Sequence, residues 1–318
     1  MTKTDDSDDT LRDSLLTPRD WIRWGASAFN AADLRFGHGS DNALDEAAHL
    51  TLFALHLPFD IADSYLDARL APSERMAVLA LLRRRLAERR PAPYLTGEAW
   101  FAGLPFDVDE RVIIPRSPIA EMIEDGFQPW LGEREPARIL DLCAGCGAIA
   151  IACAYAFPDA EVMATELDEG ALAVAERNIE RHEMAPRLSL RRADLFDGLD
   201  GERFDLIVTN PPYVSTEEWR GLPDEYRHEP EFAFTGGEDG LGLVARLLAA
   251  APDHLTEDGL LVLEVGNTAF EMEARWPDLP VAWVDLERGG IGVGVIEAED
   301  LSAWLESGGL RPARGTGT

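Results

Sequence analysis

A strand-like run, a glycine-rich loop and an apolar helical segment follow one another directly, and this succession constrains the fold more than any other feature of the chain. Residues 139–142 (Ile-Leu-Asp-Leu) are typical of a buried strand, residues 143–147 (Cys-Ala-Gly-Cys-Gly) of a tight loop, and residues 148–157 of a helix. In a parallel sheet, each strand leads into a helix that crosses over to the next strand. Strand-like and helical segments keep alternating after residue 117. The sequence therefore predicts an α/β fold with a mostly parallel, doubly wound sheet.

The glycine loop is expected to bind a ligand, because such sheets bind ligands at the carboxyl ends of their strands. Gly145, Gly147 and Ala150 fit the G-x-G-x-x-A pattern of dinucleotide-binding folds, so an oxidoreductase is one interpretation. Asp141 favours S-adenosylmethionine instead, since a carboxylate before the glycines would repel a pyrophosphate but suits a cationic amino-acid group. The glycine spacing alone leaves both interpretations open.

Acidic residues follow the next two predicted strands. Glu166 lies at the tip of the strand that starts at Glu161, roughly at the twenty-residue offset where an acidic residue receives ribose hydroxyls. Asp194 follows the third strand, where adenine would be held. The residues predicted to bind the cofactor are Asp141, Cys143, Gly145, Cys146, Gly147, Glu166, Asp194, Leu195 and Asn210.

The segment Asn210-Pro211-Pro212-Tyr213 follows a buried-strand pattern at residues 204–209 and suits a planar amide or amine nitrogen. The Asn210 side-chain oxygen can accept one N–H of such a group, and the Pro211 carbonyl can accept the other. The two prolines fix φ and remove backbone donors that would compete. Tyr213 can stack on the flat group. These four residues are the predicted catalytic residues.

Together, the loop at 141–147, Glu166, Asp194 and the Asn-Pro-Pro-Tyr segment resemble the glutamine N(5)-methyltransferases of the HemK/PrmB group. The resemblance covers about residues 21–300. Residues 35–42, 98–118 and 225–230 (Glu-Tyr-Arg-His-Glu-Pro) resemble the PrmB branch, whose substrate is a glutamine of large-subunit ribosomal protein number three. Two departures are that Cys146 stands where serine or threonine is more usual, and that Glu166 replaces an aspartate.

The resemblance implies a class I S-adenosylmethionine-dependent methyltransferase with a seven-stranded, Rossmann-like sheet, a small N-terminal helical domain and a β-hairpin linker. We expect residues 1–93 to form the helical, substrate-recognition domain, with residues 1–10 disordered. Residues 94–116 are expected to form the linker and residues 117–318 the methyltransferase domain. Three alternatives stay open: the same reaction on a glutamine of peptide-chain release factors, an exocyclic-amine nucleic-acid methyltransferase, and a non-catalytic assembly factor.

The charge balance indicates which partners to expect. The net charge of −30 would repel DNA and free RNA, whose binding depends on clustered cations. A basic ribosomal protein is an electrostatically favourable partner. The arginines at positions 83–85, 89 and 90 are interpreted as a solvated face rather than a docking surface, so contact with ribosomal RNA is not expected. The scarcity of lysine, with Lys3 alone, fits either a saline cytoplasm or genome composition.

The three cysteines fall in or just after the glycine loop. A zinc site would need four ligands, and no histidine is near in sequence, so no metal is predicted. A C-x-x-C redox pair remains an alternative to small packing residues in a reducing cytosol, the interpretation that we favour. The acidic N-terminus has no signal-peptide pattern, and no apolar run approaches the roughly twenty residues that cross a bilayer. We therefore expect a cytoplasmic protein.

Overall fold

The computed structural model describes residues 7–310, and the chain divides into two compact units. The first consists of Met1–Glu98 and Pro223–His228, and the second of Ala99–Leu222 and Glu229–Thr318. The short segment Pro223–His228 thus belongs structurally to the N-terminal unit, although it lies far downstream in the sequence.

The described part of the first unit is helical. Its helices are α1 (Asp8–Ser14), α2 (Pro18–Ala31), α3 (Ala43–Ala54), α4 (Pro72–Glu88) and α5 (Ala92–Thr96), with 3-10 turns at Asp63–Asp67 and Asp224–His228. α2 begins with a capping box, in which the Thr17 side chain accepts from the Asp20 amide, and Pro18 occupies the first turn. The apolar stripe of α2 places Trp21 and Phe29 in the core of this unit.

Residues 8–10 differ from the expectation of disorder, because they form the first turn of α1. The Ser7 hydroxyl accepts from the Thr10 amide at 3.2 Å, and acidic residues in the first turn interact favourably with the helix dipole. Leu11 anchors the helix in the core of the unit. The expectation for residues 1–6 lies outside the described residues.

The arginine cluster at the end of α4 is not the uniform solvated face that the sequence suggests. Arg84 is half exposed and pairs with Glu88, but the Arg85 side chain is fully buried. Arg85 Nε donates to Glu46 Oε1 at 2.6 Å, and its Nη2 donates to the Arg35 carbonyl at 3.0 Å. The prediction was wrong for Arg85 because its partner is on α3, which is distant in sequence.

The strands of the described chain lie in the second unit, apart from Glu98, which is the first residue of the first strand. They are β1 (Glu98–Phe101), β2 (Leu104–Asp107), β3 (Arg138–Leu142), β4 (Glu161–Glu166), β5 (Leu188–Arg192), β6 (Phe204–Thr209), β7 (Leu255–Glu264), β8 (Ala282–Trp283) and β9 (Val293–Glu297). Its helices are α6 (Ile119–Glu124), α7 (Ala148–Ala156), α8 (Glu169–Arg181), α9 (Thr216–Gly221), α10 (Gly242–His254), α11 (Ala269–Arg275) and α12 (Ala298–Glu306). Strands β1 and β2 form a two-stranded sheet within the segment for which short β-strands are predicted.

The central sheet has seven strands in the order β5-β4-β3-β6-β7-β9-β8. Strands β3 to β7 run parallel, whereas β9 pairs antiparallel with both β7 and β8. The buried apolar residues of β3, β6 and β7 allow helices to cover both faces of the sheet. The predicted α/β, mostly parallel, seven-stranded class is confirmed.

The carboxyl ends of the parallel strands lie along one edge of this sheet. The strand order reverses at β3, because β4 lies on one side of it and β6 on the other. A crevice is expected outside the carboxyl ends at such a switch point. Among the described helices, none is both long and apolar enough to span a membrane.

Candidate active site

The glycine loop between β3 and α7 requires unusual backbone conformations. Cys143, Gly145 and Gly147 have φ of +59°, +55° and +81°. At Gly147 a Cβ would lie 3.5 Å from the Ala175 Cβ, an ordinary contact distance, so it is the positive φ rather than a lack of space that favours glycine there. At Gly145 the nearest atom to a Cβ would be Ile113 Cγ2 at 3.9 Å. The space beside Gly145 is therefore open enough for a ligand to approach the backbone.

Glu166, the last residue of β4, is buried, and its carboxylate contacts both the glycine loop and the two residues that directly follow it. Its Oε2 accepts from the Gly145 amide at 2.9 Å, and its Oε1 accepts from the amides of Leu167 at 2.7 Å and Asp168 at 3.0 Å. A carboxylate offers about four acceptor positions, so capacity for a further hydroxyl donor remains. The extra methylene relative to aspartate lets one side chain bridge the two loops.

Asp141 holds the start of α7. Its Oδ2 accepts from the Ala150 amide at 2.9 Å, whereas Oδ1 has no hydrogen-bond partner among residues 7–310. Burial raises the pKa of Asp141 well above its ordinary value, the Ala150 contact opposes this, and the nearby Glu166 adds to it. One buried carboxylate oxygen thus remains available to a donor from a ligand or water.

A cavity of about 630 Å³ opens at the carboxyl ends of the strands. Six of the predicted cofactor residues line it, namely Cys143, Gly145, Glu166, Asp194, Leu195 and Asn210. Of the predicted catalytic residues, Asn210 and Pro212 line this cavity. The described lining residues do not include Asp141, Cys146, Gly147, Pro211 or Tyr213. The structure thus brings the glycine loop, the two acidic strand ends and part of the Asn-Pro-Pro-Tyr segment together.

Asp194 forms part of a charged rim on this cavity. Its Oδ2 lies 2.9 Å from Arg246 Nη2, and both side chains are partly exposed. Arg246 also lines the cavity. Sequence reasoning did not single out Arg246, because it lies on α10 and meets Asp194 only in the folded chain.

The Asn-Pro-Pro-Tyr segment leaves the end of β6 under tight backbone restraint. The Thr209 hydroxyl donates to the Leu142 carbonyl at 3.0 Å, which ties β6 to β3 just before Asn210. A Cβ on Gly236 would lie 2.4 Å from the Pro212 oxygen, and a Cβ on Gly240 would lie 2.2 Å from the Tyr213 oxygen. Only glycine allows this close approach, so the following loop fixes the carbonyls of the segment.

Tyr213 is directed toward β7. Its hydroxyl donates to Glu264 Oε1 at 2.9 Å, and a Cβ on Gly266 would lie 2.8 Å from the Tyr213 ring. Burial raises the pKa of the Tyr213 hydroxyl, and Glu264 raises it further, so the hydroxyl stays protonated and donates. The ring therefore packs on the turn after β7 in this structure, whereas stacking on a planar substrate group stays a prediction.

Glu264 is a buried site residue to which sequence reasoning assigned no role. Its carboxylate accepts hydrogen bonds from the side chains of Tyr213 and Ser117. Asn210 lies beside it, because Asn210 and Glu264 each follow one member of the β6–β7 register pair Thr209–Leu263. The available signal was a single carboxylate that ends the otherwise apolar run Leu260-Leu261-Val262-Leu263 of β7.

The three cysteine thiols, at positions 143, 146 and 153, are free. Burial raises the pKa of all three, and that of Cys146 reaches about 12. A protonated thiol is a poor nucleophile, so we expect low reactivity of these thiols at neutral pH. Residues 7–310 contain no group of three or more His, Cys, Asp or Glu side chains that could hold a metal ion.

Two curated relatives match nearly the whole chain. The ribosomal protein uL3 glutamine methyltransferase of Xanthomonas campestris pv. campestris is 51% identical over 291 residues, which is 92% of this chain and 94% of the relative. The protein of the same name from Bordetella pertussis is 49% identical over 294 residues, or 92% of this chain and 98% of the relative. This chain belongs to the ribosomal protein uL3 glutamine methyltransferase family.

Membership of the uL3 glutamine methyltransferase family confirms the resemblance to the PrmB branch and makes the oxidoreductase alternative wrong. The methyltransferase small domain family matches residues 128–221, which include the glycine loop and the Asn-Pro-Pro-Tyr segment. The sheet order is consistent with this, because a dinucleotide fold of the order 3-2-1-4-5-6 lacks the inserted antiparallel strand β9.

Solved structures of other methyltransferases are more distant from this uL3 glutamine methyltransferase family member. The ribosomal protein L11 methylase of Lactobacillus delbrueckii subsp. bulgaricus is 20% identical, with a TM-score of 0.38 over 55% of this chain and 74% of that chain. An RNA methyltransferase of Salinibacter ruber in complex with S-adenosyl-L-homocysteine is 18% identical, with a TM-score of 0.37 over 58% of this chain and 92% of that chain.

Proposed function

We propose that this protein transfers a methyl group from S-adenosylmethionine to the side-chain amide nitrogen of a glutamine in large-subunit ribosomal protein uL3. Curated relatives of about half-identical sequence carry this activity in their names. The structural observation that carries the proposal is that Asn210 and Pro212 share one cavity with Gly145 and Glu166. A site for an amide acceptor thus adjoins a site for a nucleoside cofactor.

The cavity walls fit S-adenosylmethionine, the methyl donor of this enzyme class. In the proposed complex, the Glu166 carboxylate accepts a hydrogen bond from a ribose hydroxyl and Asp194 binds the adenine amino group. The open space beside Gly145 takes the amino-acid portion, with the unpartnered Oδ1 of Asp141 as its acceptor, reached through water. When bound, the cofactor supplies an electrophilic methyl carbon on a positively charged sulfur.

The protein's own contribution is alignment of the acceptor amide. An amide nitrogen is a poor nucleophile because its lone pair is delocalised into the carbonyl. In the proposal, Asn210 Oδ1 accepts one N–H of the glutamine amide and the Pro211 carbonyl accepts the other, which fixes the nitrogen and polarises it. The proton that the nitrogen must lose can leave to Asn210 Oδ1 or to water. No separate general base is required.

The N-terminal helical unit is proposed to recognise the ribosomal protein, and the reaction is proposed to take place in the cytoplasm. The net charge of −30 supports a basic protein substrate and disfavours stable DNA binding or contact with ribosomal RNA. Salt dependence tests this part: rising ionic strength should increase the KM for uL3, and a KM that stays constant would contradict charge-based recognition.

The test of the proposed function is methylation of purified uL3 by the purified protein, followed by peptide mass spectrometry. We expect a gain of about 14 Da on a single glutamine-containing peptide. A purified release factor serves as the comparison substrate, and preferential methylation of the release factor would overturn the uL3 assignment. Asn210→Ala should leave the Kd for S-adenosylmethionine nearly unchanged while kcat falls at least about tenfold, or about 1.4 kcal/mol of transition-state stabilisation. Equal kcat in Asn210→Ala and the parent would refute the proposed role of Asn210.

A further inference from the structure

A carboxamide has two ends of similar shape, and only one of them can accept a hydrogen bond. If Asn210 is to accept an N–H from a glutamine amide, its Oδ1 must face the cavity and its Nδ2 must face away. Rotation of the amide by about 180° exchanges these ends and would present a donor to a donor. A site of this kind therefore needs a neighbour that distinguishes the two ends.

Glu264 has the required chemistry. Its carboxylate accepts from the Tyr213 hydroxyl at 2.9 Å through Oε1 and from the Ser117 hydroxyl through Oε2. The Ser117 oxygen also accepts from the Ile119 amide at 3.2 Å, which favours donation of its own proton to Glu264. The Asn210 side chain lies beside this carboxylate, because Asn210 and Glu264 each follow one member of the β6–β7 register pair Thr209–Leu263, and it lowers the pKa of Glu264.

An ionised carboxylate has only acceptor sites, so the Asn210 end that touches it must be the NH2 group. The opposite orientation would place Oδ1 against the lone pairs of a buried anion. Charge-assisted hydrogen bonds are about twice as strong as neutral ones, and Glu264 is 5% exposed, so water cannot replace the lost contact.

We propose that Glu264 is a positioning residue that holds the Asn210 carboxamide with Nδ2 toward itself and Oδ1 toward the acceptor glutamine. This inference rests on the proposed function. It also gives Tyr213 and Ser117 an indirect role. Each donates a hydrogen bond to Glu264 and so favours the ionised carboxylate, which has acceptor sites only. The arrangement joins the start of α6, the end of β6 and the end of β7 at one buried anion.

The charge state of Glu264 provides a readout that simple packing would not. Burial raises the pKa of Glu264, while the hydrogen bonds from Ser117 and Tyr213, the positive charge of Arg116 and the neighbouring Asn210 side chain lower it. Arg116 is itself paired with Glu229, with 2.8 Å between Nη1 and Oε2. Once protonated, Glu264 can donate to Asn210 Oδ1 and stabilise the wrong orientation. kcat should therefore fall on the acid side as Glu264 is protonated.

The experiment compares kcat, KM and the pH profile of the parent and Glu264→Gln with uL3 as substrate. Glutamine keeps the size but can donate as well as accept, so kcat should fall by about tenfold and the Glu264-dependent acid limb should disappear. The Kd for S-adenosylmethionine should stay within about twofold. Glu202→Gln is the control, because Glu202 pairs with Arg138 at the opposite edge of the sheet.

Two further variants test the proposal, and the first of them keeps it testable if Glu264→Gln does not fold. Tyr213→Phe removes a donor to the charged carboxylate, so the acid limb should move to higher pH. In the Asn210→Ala background, Glu264→Gln should cause no further loss of kcat, because Glu264 acts through Asn210. An unshifted acid limb in Tyr213→Phe, or additive losses in the double variant, would overturn the positioning role. Failure of the parent to methylate uL3 would instead overturn the proposed function.

Discussion

Replacement of Gly145 by valine tests whether the cofactor lies against the glycine loop. Gly145 has φ +55°, a conformation that costs a residue with a Cβ roughly 1–2 kcal/mol. The free protein has room for the added Cβ, which would lie 3.9 Å from Ile113 Cγ2. The loop cannot easily move away from a bound ligand, because two hydrogen bonds hold it. The Gly145 amide donates to the Glu166 carboxylate at 2.9 Å, and the Ala144 amide donates to the Thr165 carbonyl at 3.0 Å.

The magnitude follows from these two contributions. Backbone strain should lower the Tm by about 2–8 °C without ligand. Overlap between the valine methyl groups and the cofactor should cost about 1–3 kcal/mol, so the Kd for S-adenosylmethionine should rise by about 5- to 150-fold. Gly145→Ala, which adds one carbon, should show the same strain but a smaller loss of affinity.

Isothermal titration calorimetry with S-adenosylmethionine measures the affinity, and thermal unfolding measures the strain. Gly198→Val is the matched control: Gly198 has φ +78°, and its Cβ would have no heavy atom of the described chain within 4 Å, its sequence neighbours aside. It should lose stability but keep its affinity. A Kd for Gly145→Val that stays within about twofold of that of Gly198→Val would refute the placement of the cofactor beside this loop.

Two predictions concern stability and thiol reactivity. Arg85→Met leaves Glu46 buried without its partner and should cost about 3–5 kcal/mol of unfolding free energy in urea titrations, against about 0.5 kcal/mol or less for the exposed Arg84→Met. Burial raises the pKa of Glu46 even with Arg85 present, and removal of Arg85 should raise this pKa further. The loss of unfolding free energy in Arg85→Met should therefore grow as pH rises above the ordinary glutamate pKa and shrink toward acid pH. A loss that does not depend on pH would contradict this. Cys146 and Cys153 should react with iodoacetamide at pH 7 only after unfolding, because both side chains are buried and burial raises both pKa values, and rapid labelling of these two residues in the folded protein would contradict it.

Much of the fold was predictable because it is encoded in short stretches of sequence. The apolar runs that became β3, β6 and β7 predict buried strands, and the alternation with helices predicts a parallel sheet. The cap at Thr17 with Pro18 marks the start of α2. Each of these signals depends on residues within one or two turns of each other, so no tertiary information is needed.

The cavity was predictable for a related reason. The carboxyl ends of parallel strands meet at one edge, so Gly145, Glu166, Asp194 and Asn210 could be expected to lie together once each had been assigned to a strand end. The strand topology thus brings residues that were predicted separately into one site, and the comparison with known families indicates the reaction.

The sequence by itself determined the strand–loop–helix succession, the sheet class and the Asn-Pro-Pro-Tyr segment at a strand end, since local backbone preference and hydrophobic pattern fix these. The tertiary structure alone decided the insertion of β9 beside β7, the burial of Arg85 and the meeting of Ser117, Asn210 and Tyr213 at Glu264. These depend on which side chains from distant segments face the same small volume. A buried charge is stable only where such partners surround it, and its neighbours in sequence do not specify them.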